Sequence, residues 1–203
     1  MLVIGLTGGT GAGKSVAAAA LTEMGIPCLD TDSVSRKVCG PGQPCTLELA
    51  ETFGGEILDE DGSLRRGRLA ELVFGESDGR IREEKRNTLN RITHSYILEA
   101  CRIWLKEQEA EGKKAACIDA PQLFESGFDR ECDKIIGITA KRKTRIERIR
   151  ARDGVSVRSA HQRIAAQHSE AFFRKHCSVL LRNNGTPDNL ASRVREAVSP
   201  WIR

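Results

Sequence analysis

Eight consecutive residues near the start of the chain carry the clearest chemistry. Gly8-Gly9-Thr10-Gly11-Ala12-Gly13-Lys14-Ser15 fits the pattern G-x-x-x-x-G-K-S/T in full. Glycines let a backbone turn tightly enough to aim several N–H groups at phosphate oxygens, and a helix beginning at the end of the turn adds partial positive charge. The amides of Gly11, Ala12, Gly13, Lys14, Ser15 and Val16 are the expected phosphate contacts. The Lys14 ammonium would reach the β- and γ-phosphates, and the Ser15 hydroxyl would ligate Mg²⁺. The bland alternative is a ligand-free strand–helix turn. The Lys-Ser pair, the apolar run before it and the Ala-rich segment after it argue against that. The motif specifies a triphosphate such as ATP and is silent about the acceptor.

Two carboxylates follow at Leu29-Asp30-Thr31-Asp32, after a short apolar run. In an open parallel sheet, ligands bind beyond the carboxyl ends of the strands. One carboxylate there can take a proton from an attacking hydroxyl, and the other can hold a metal or its water. The same spacing also suits an aspartate capping the next helix. Asp30 is assigned to catalysis and metal, and Asp32 to catalysis and acceptor, without the spacing deciding which is the base. Asp119 ends a further apolar run, Ala115–Ile118. It fits both a metal-side carboxylate and a structural strand end.

The third cluster is cationic, Lys141 to Asp153, with five arginines and two lysines. On a helix, Arg145, Arg148 and Arg152 share one face by their i, i+3, i+7 spacing. Guanidiniums in a row can close over a triphosphate and stabilise developing charge. A solvated basic helix has the same composition. Nucleic-acid binding is a third reading, but the segment lacks the interleaved aromatic residues that stack bases.

The elements that must position these groups are short apolar runs alternating with helical patterns. Strands are expected at Leu2–Leu6, Ile26–Leu29, Ala115–Ile118, Lys134–Ile138 and Ser178–Leu181. Helices are expected at Lys14–Met24, stopped by Gly25, and at about 141–152, 156–175 and 188–198. That alternation implies βαβ units and a parallel sheet covered on both faces. Residues 33–112 break the rhythm and read as helical, with apolar residues at helical spacing from Ile81 to Trp104.

Bulk composition excludes several classes. The 203 residues are 39% hydrophobic and 30% charged, the profile of a globular chain rather than a disordered one. A net charge of +4 is compatible with an anionic ligand and too small to argue for nucleic acid. No run reaches the roughly 20 apolar residues of a membrane span. The seven cysteines include no Cys-x-x-Cys pair, and read as scattered packed thiols in a reducing cytoplasm.

Taken together, the segments resemble the dephospho-coenzyme A kinase family nearly end to end, from Ile4 to about Val194. The resemblance rests on Gly5 through Ser15, on Asp30-Thr31-Asp32 with Arg36, and on Pro41-Gly42, Phe53-Gly54 and Asp61-Gly62. It continues through Leu69, Val73-Phe74, Leu89-Asn90, His94, Pro121, Leu123, Glu125, Arg148, Arg152, Gln167 and Asn183. The chain departs from the family at Arg65 (usually Asp), Ser95 (usually Pro), Gln122 (usually Leu), Arg145 (usually Gln) and Cys177-Ser178 (usually Ala-Asp). The resemblance implies an α/β, three-layer P-loop NTPase fold with a five-stranded parallel sheet. Its core would span 1–32, 113–139 and 177–203, with a helical acceptor-binding insertion at 33–112 and a lid at 140–176. It implies ATP-dependent phosphorylation of the ribose 3′-hydroxyl of dephospho-coenzyme A, with Mg²⁺, the last step of coenzyme A biosynthesis. Lys14, Asp30, Asp32 and Arg148 would be catalytic; Arg148, Arg152 and Asn183 would join the loop around ATP. Asp32, Arg36, His94, Leu123 and Glu125 would bind the acceptor. A cytoplasmic enzyme, monomeric or weakly self-associating, without nucleic-acid or membrane partners, is expected. Another small-molecule or nucleoside monophosphate kinase of the same fold, or a P-loop nucleotide sensor without transfer activity, would share the loop but not the other segments.

Overall fold

The computed structural model describes residues 1–202. Five strands form one sheet: β1 Leu2–Gly8, β2 Cys28–Asp30, β3 Ala115–Asp119, β4 Lys134–Thr139 and β5 Val179–Arg182. Their order is β2-β3-β1-β4-β5, and every neighbouring pair is parallel. Parallel strands need crossovers, and the crossovers cover the faces, so the central strands are apolar on both sides. One face carries Ile4, Leu6, Cys117, Ile136 and Ile138, which pack against α1 (Lys14–Glu23) through Ala17, Ala20 and Leu21. The last long helix, Pro187–Val198, closes the same cluster with Leu190, Val194 and Val198.

The other face is built by close approach. Gly5 leaves room for Leu123, since a Cβ there would lie 2.8 Å from Leu123 Cδ2 and 2.9 Å from Cys132 Sγ. Gly137 does the same for Cys177, 2.7 Å from such a Cβ. The expected strand ends shift slightly for identifiable reasons. Ile26 N–H is spent on Leu21 O at the end of α1, so β2 starts at Cys28. The Ser178 hydroxyl accepts Ile135 N–H at 2.9 Å instead of pairing through its backbone, so β5 starts at Val179.

The chain divides into two compact units, Met1–Asp30 with Leu105–Arg203, and Thr31–Trp104. The second unit ends within a long helix. It contains α2 (Thr31–Val38), α3 (Pro44–Phe53), α4 (Arg66–Phe74) and most of α5 (Gly79–Ala110). Its core is Cys39, Cys45, Leu49, Ile57, Leu69, Val73 and Ile92. Tyr96 Oη donates to Glu48 Oε2 at 2.8 Å, tying α5 to α3. The helical reading of this stretch misses one feature, an antiparallel bridge between Leu58 and Leu64 around a tight turn. Arg65, where the family pattern has Asp, closes that turn through Nε to Asp59 Oδ1 at 2.6 Å. Ser95, where a Pro is usual, donates to Ile92 O at 2.7 Å within α5, and the helix runs through it unbroken.

In the first unit, α6 (Arg142–Asp153) follows β4. The expected single helix at 156–175 is two, α7 (Val157–Ala165) and α8 (Glu170–His176). Ser156 caps the first by accepting Ser159 N–H, and Ser169 caps the second by accepting Phe172 N–H. A second N-cap inside an apolar-periodic stretch restarts the helix, a signal that periodicity alone overlooks. The Pro187–Val198 helix is α9.

The tightest constraint in this sheet is Gly8, where a Cβ would lie 2.3 Å from the Ile138 carbonyl oxygen. That neighbour is backbone of β4 and cannot rotate away. Gly8→Ala should destabilise the chain by about 1–3 kcal/mol, the range for overpacking. Urea unfolding checks it; an unchanged midpoint would mean β1 and β4 separate to admit a methyl group.

Candidate active site

The loop between β1 and α1 is held in shape by its own backbone and by three side chains from distant sequence. Ala12 N–H donates to Gly9 O at 3.0 Å, and Val16 N–H to Gly13 O at 3.2 Å. Gly13 caps α1 with φ of 100°, in the left-handed region. A Cβ there would also lie 2.2 Å from Asn183 Nδ2, so glycine is required twice over. Asn183 follows β5, and its Nδ2 donates to Ala12 O at 2.9 Å. Its Oδ1 is buried without a hydrogen-bond partner, as is Thr7 Oγ1. An orphaned buried acceptor costs about 1–3 kcal/mol. Asn183 thus reaches the nucleotide loop by gripping its backbone.

Lys14 Nζ lies 2.5 Å from Asp119 Oδ1. Asp119 is the last residue of β3 and only 8% exposed. It stands in register with Leu6 on β1 and with Asp30 on β2. Two carboxylates therefore end adjacent strands at the carboxyl edge of the sheet, with Lys14 on one of them. Asp119, which spacing left open between metal side and structure, holds the loop lysine. Ser15, exposed in the first turn of α1, offers a hydroxyl. Ser15, Asp30 and Asp119 supply hard oxygen donors of the kind Mg²⁺ takes. Among the described residues no group of three His, Cys, Asp or Glu could hold a metal alone. One or two carboxylates beside a hydroxyl suit Mg²⁺ bound together with substrate phosphates.

The arginines of α6 share a face as expected but are committed differently. Arg145 donates from Nε to Thr10 O at 2.8 Å and from Nη2 to Gln167 Oε1 at 2.6 Å. Burial first, and the neighbouring Arg142 charge second, hold its pKa below the usual arginine value. Its guanidinium also occupies the space over Gly9, where a Cβ would be 2.3 Å away. Arg145 is a buckle for the loop, not the third phosphate-facing cation that its spacing suggested. Arg148 makes only long contacts from Nη1, to Gly11 O at 3.5 Å and Asn183 O at 3.3 Å. Arg152 is exposed and paired with Asp153, with one long contact to Thr10 Oγ1 at 3.5 Å. The pairing raises the Arg152 pKa and lowers that of Asp153. The segment expected as a lid lies in the same compact unit as the loop.

Gln167 was legible only as part of the family pattern, and no local signal marks its role. It sits between α7 and α8, and its Oε1 accepts both Arg145 Nη2 and Thr10 N–H, the latter at 3.0 Å. The next residue, His168, stacks on Phe172 at 3.8 Å and lies 3.4 Å from Glu125 Oε1. Phe124, Phe172, Phe173 and His176 complete this aromatic cluster. Glu125 is thus exposed beside His168. Leu123, expected on the acceptor side, has its side chain turned inward. It is fully buried against Gly5, leaving a ligand only its backbone. The remaining acceptor candidates belong to the second unit. Asp32 is exposed in the first turn of α2, Arg36 exposed in its last turn, and His94 partly buried on α5.

Gln167→Ala should free the Thr10 amide and the Arg145 guanidinium together. Loss of two hydrogen bonds, one of them charge-assisted, predicts about 1–3 kcal/mol of destabilisation and severalfold weaker nucleotide binding. Thermal unfolding and calorimetric ATP titration check this. Wild-type values in both would remove the bridge from the account.

The comparisons with known proteins point to one family. The sequence model of the dephospho-CoA kinase family matches residues 2–189. Similar curated proteins include the dephospho-CoA kinases of Corynebacterium efficiens, 36% identical over 98% of this chain and 96% of the relative, and Shouchella clausii, 34% identical over 97% and 96%. A crystal structure from Thermus thermophilus is similar at a TM-score of 0.81, 30% identity, covering 100% of this chain and 98% of that one. A Campylobacter jejuni dephospho-CoA kinase gives a TM-score of 0.71 at 20% identity over 98% and 96%. A Bacteroides thetaiotaomicron shikimate kinase shares the fold at 0.54 and 15% identity, covering 98% of each chain. With a loop, strand-end carboxylates and arginine face that fit phosphoryl transfer, and a family match spanning nearly its whole length, the chain belongs to the dephospho-CoA kinase family.

Proposed function

We propose that the chain transfers the γ-phosphoryl group of ATP to the ribose 3′-hydroxyl of dephospho-coenzyme A, giving coenzyme A and ADP. The observation that carries this reading is Lys14 resting on Asp119 at the strand edge, with Arg148 and Arg152 reaching the same loop. Phosphoryl transfer needs little covalent help from the protein, so positioned cations and aligned reactants supply most of the rate.

The loop amides from Gly11 to Val16 hold the triphosphate, and Lys14 leaves Asp119 for its β- and γ-oxygens. Bound Mg²⁺ would neutralise charge on those oxygens, with Ser15 and Asp30 as its protein ligands and Asp119 beside them. Arg148 moves from long carbonyl contacts to the transferring group, and Arg152 leaves Asp153 to join it. Asn183 and Gln167 keep the loop in register. Asp32, Arg36, His94 and Glu125 bind the acceptor, and Asp30 or Asp32 takes the 3′-hydroxyl proton. A cytoplasmic location is part of the proposal. Among the described residues, no helix is long and apolar enough to cross a membrane.

The test is direct. Pure protein with ATP, Mg²⁺ and dephospho-coenzyme A should yield coenzyme A and ADP by chromatography. A folded preparation that turns over a nucleoside monophosphate instead, or nothing, would overturn the assignment. Lys14→Ala should lower kcat by at least about a hundredfold, the scale for removing one preorganised charge stabiliser. Asp30→Asn and Asp32→Asn should differ: loss of the base costs about 10²–10⁴ in kcat. The metal ligand should show a raised Mg²⁺ requirement. Full rate in both variants would sink the carboxylate roles.

A further inference from the structure

Two thiols in the core of the second unit touch, and phosphoryl transfer uses neither. Cys39 follows α2 and Cys45 is the second residue of α3; their Sγ atoms are 3.5 Å apart. They are 5% and 0% exposed. The backbone enforces this approach. The five residues between them, Gly40-Pro41-Gly42-Gln43-Pro44, form a turn in which Gln43 N–H donates to Gly40 O at 3.2 Å. Thr46 Oγ1 adds a 2.8 Å bond to the same carbonyl, fixing the start of α3 to the end of α2. Gly42 takes φ of 67°, which the turn requires.

The pair is chemically asymmetric. The Cys39 thiol is lowered to about 7, first by the hydrogen bond from Cys45, then against burial by the Arg66 guanidinium and Ser35. Cys45 is pushed up by the same pairing, by burial and by the charges of Cys39 and Glu48. One sulfur is therefore poised as the thiolate and the other keeps its proton. Among the described cysteines, Cys28 and Cys117 also face each other, in register on β2 and β3. Closing that pair would pull on a hydrogen-bonded ladder, whereas Cys39 and Cys45 flank a turn.

We propose that Cys39 and Cys45 are a site of reversible oxidation to a disulfide by hydrogen peroxide, with a dithiol as the reductant. The Cys39 thiolate attacks one peroxide oxygen and the O–O bond breaks. The departing hydroxide takes a proton and leaves as water, so sulfur is oxidised to a sulfenic acid and peroxide is reduced. Cys45 then displaces the hydroxyl group from Cys39 sulfur, its proton leaving with that hydroxide as a second water. Closure from contact to a bond of about 2.05 Å requires roughly 1.5 Å of approach, which the turn can absorb. A small oxidant is required because so little of Cys39 is exposed. The bond does not depend on which acceptor the chain phosphorylates.

Reduced full-length protein is treated with hydrogen peroxide, blocked with iodoacetamide, digested and mapped by mass spectrometry. A single peptide holding Cys39 and Cys45 joined internally, both open to alkylation only after dithiothreitol, is expected, forming faster as pH rises through about 7 because the thiolate attacks. Cys45→Ser should leave a sulfenic acid on Cys39 that dimedone traps, and Cys39→Ser should leave Cys45 unoxidised. Free alkylated Cys39 and Cys45 in treated wild type, a bond joining other cysteines, or dimedone on Cys45 in Cys39→Ser would each overturn the proposal. If a variant fails to fold, the wild-type map decides alone.

Discussion

The ion pair between Lys14 and Asp119 is the interaction on which the rest of the site depends. Both side chains are largely shielded, 18% and 11% exposed, so neither charge is well served by water. Removing one partner of a shielded pair leaves an uncompensated charge, which costs about 3–5 kcal/mol in a buried setting. The pair therefore fixes the lysine at the strand edge until a stronger anion competes for it. A triphosphate is such an anion, and Asp30, in register with Asp119, keeps a second carboxylate at the same edge. Asp119 and Asp30 would then face the incoming phosphates as the carboxylates placed to hold a divalent cation. The pair thus links binding to the exchange of partners rather than to the creation of a new charge in the interior.

Around that pair, the loop is shaped by what the sheet leaves room for. Glycines at 8 and 13 admit the Ile138 carbonyl and the Asn183 carboxamide, so loop, β4 and the end of β5 form one close-packed layer. Polar side chains then grip the loop backbone: Asn183 at Ala12, Arg145 at Thr10 O and Gln167 at Thr10 N–H. A loop clamped at both its carbonyl and its amide is preorganised, and preorganised donors stabilise a transition state without paying for reorganisation during the step.

Much of this was legible in the sequence because it follows local rules. The Gly8–Ser15 motif, the five apolar runs and the i, i+3, i+7 spacing of Arg145, Arg148 and Arg152 each depend on neighbours in the chain, and local periodicity reads neighbours well. What escaped depends on contacts across sequence. Gln167 acts on Thr10, 157 residues away, and nothing near Gln167 announces it. Leu123 fills the space left by the missing side chain at Gly5, a contact that nothing near Leu123 announces. Ser169 restarts a helix after Gln167-His168, a short polar gap that a coarse apolar periodicity bridges. Cys39 and Cys45 read as scattered thiols because their contact comes from a turn rather than from a Cys-x-x-Cys spacing.

The three arginines of α6 carry this distinction furthest. Helical spacing puts them on one face and makes them look equivalent. The partners they meet make them a graded series. Arg145 is half-buried, with two short bonds to the loop and its neighbour Gln167, so moving it would strand Thr10 O and a desolvated charge. Arg152 is exposed and held by an acidic neighbour, an arrangement worth at most about 1 kcal/mol at a surface. Arg148 lies between, near the loop carbonyls but at the long limit of hydrogen bonding. An arginine with short buried bonds holds the frame, whereas long or exposed contacts are cheap to leave, so the helix differs along its length. Arg145 fixes the loop, and the next two turns carry Arg148 and Arg152, which can leave their partners at little cost.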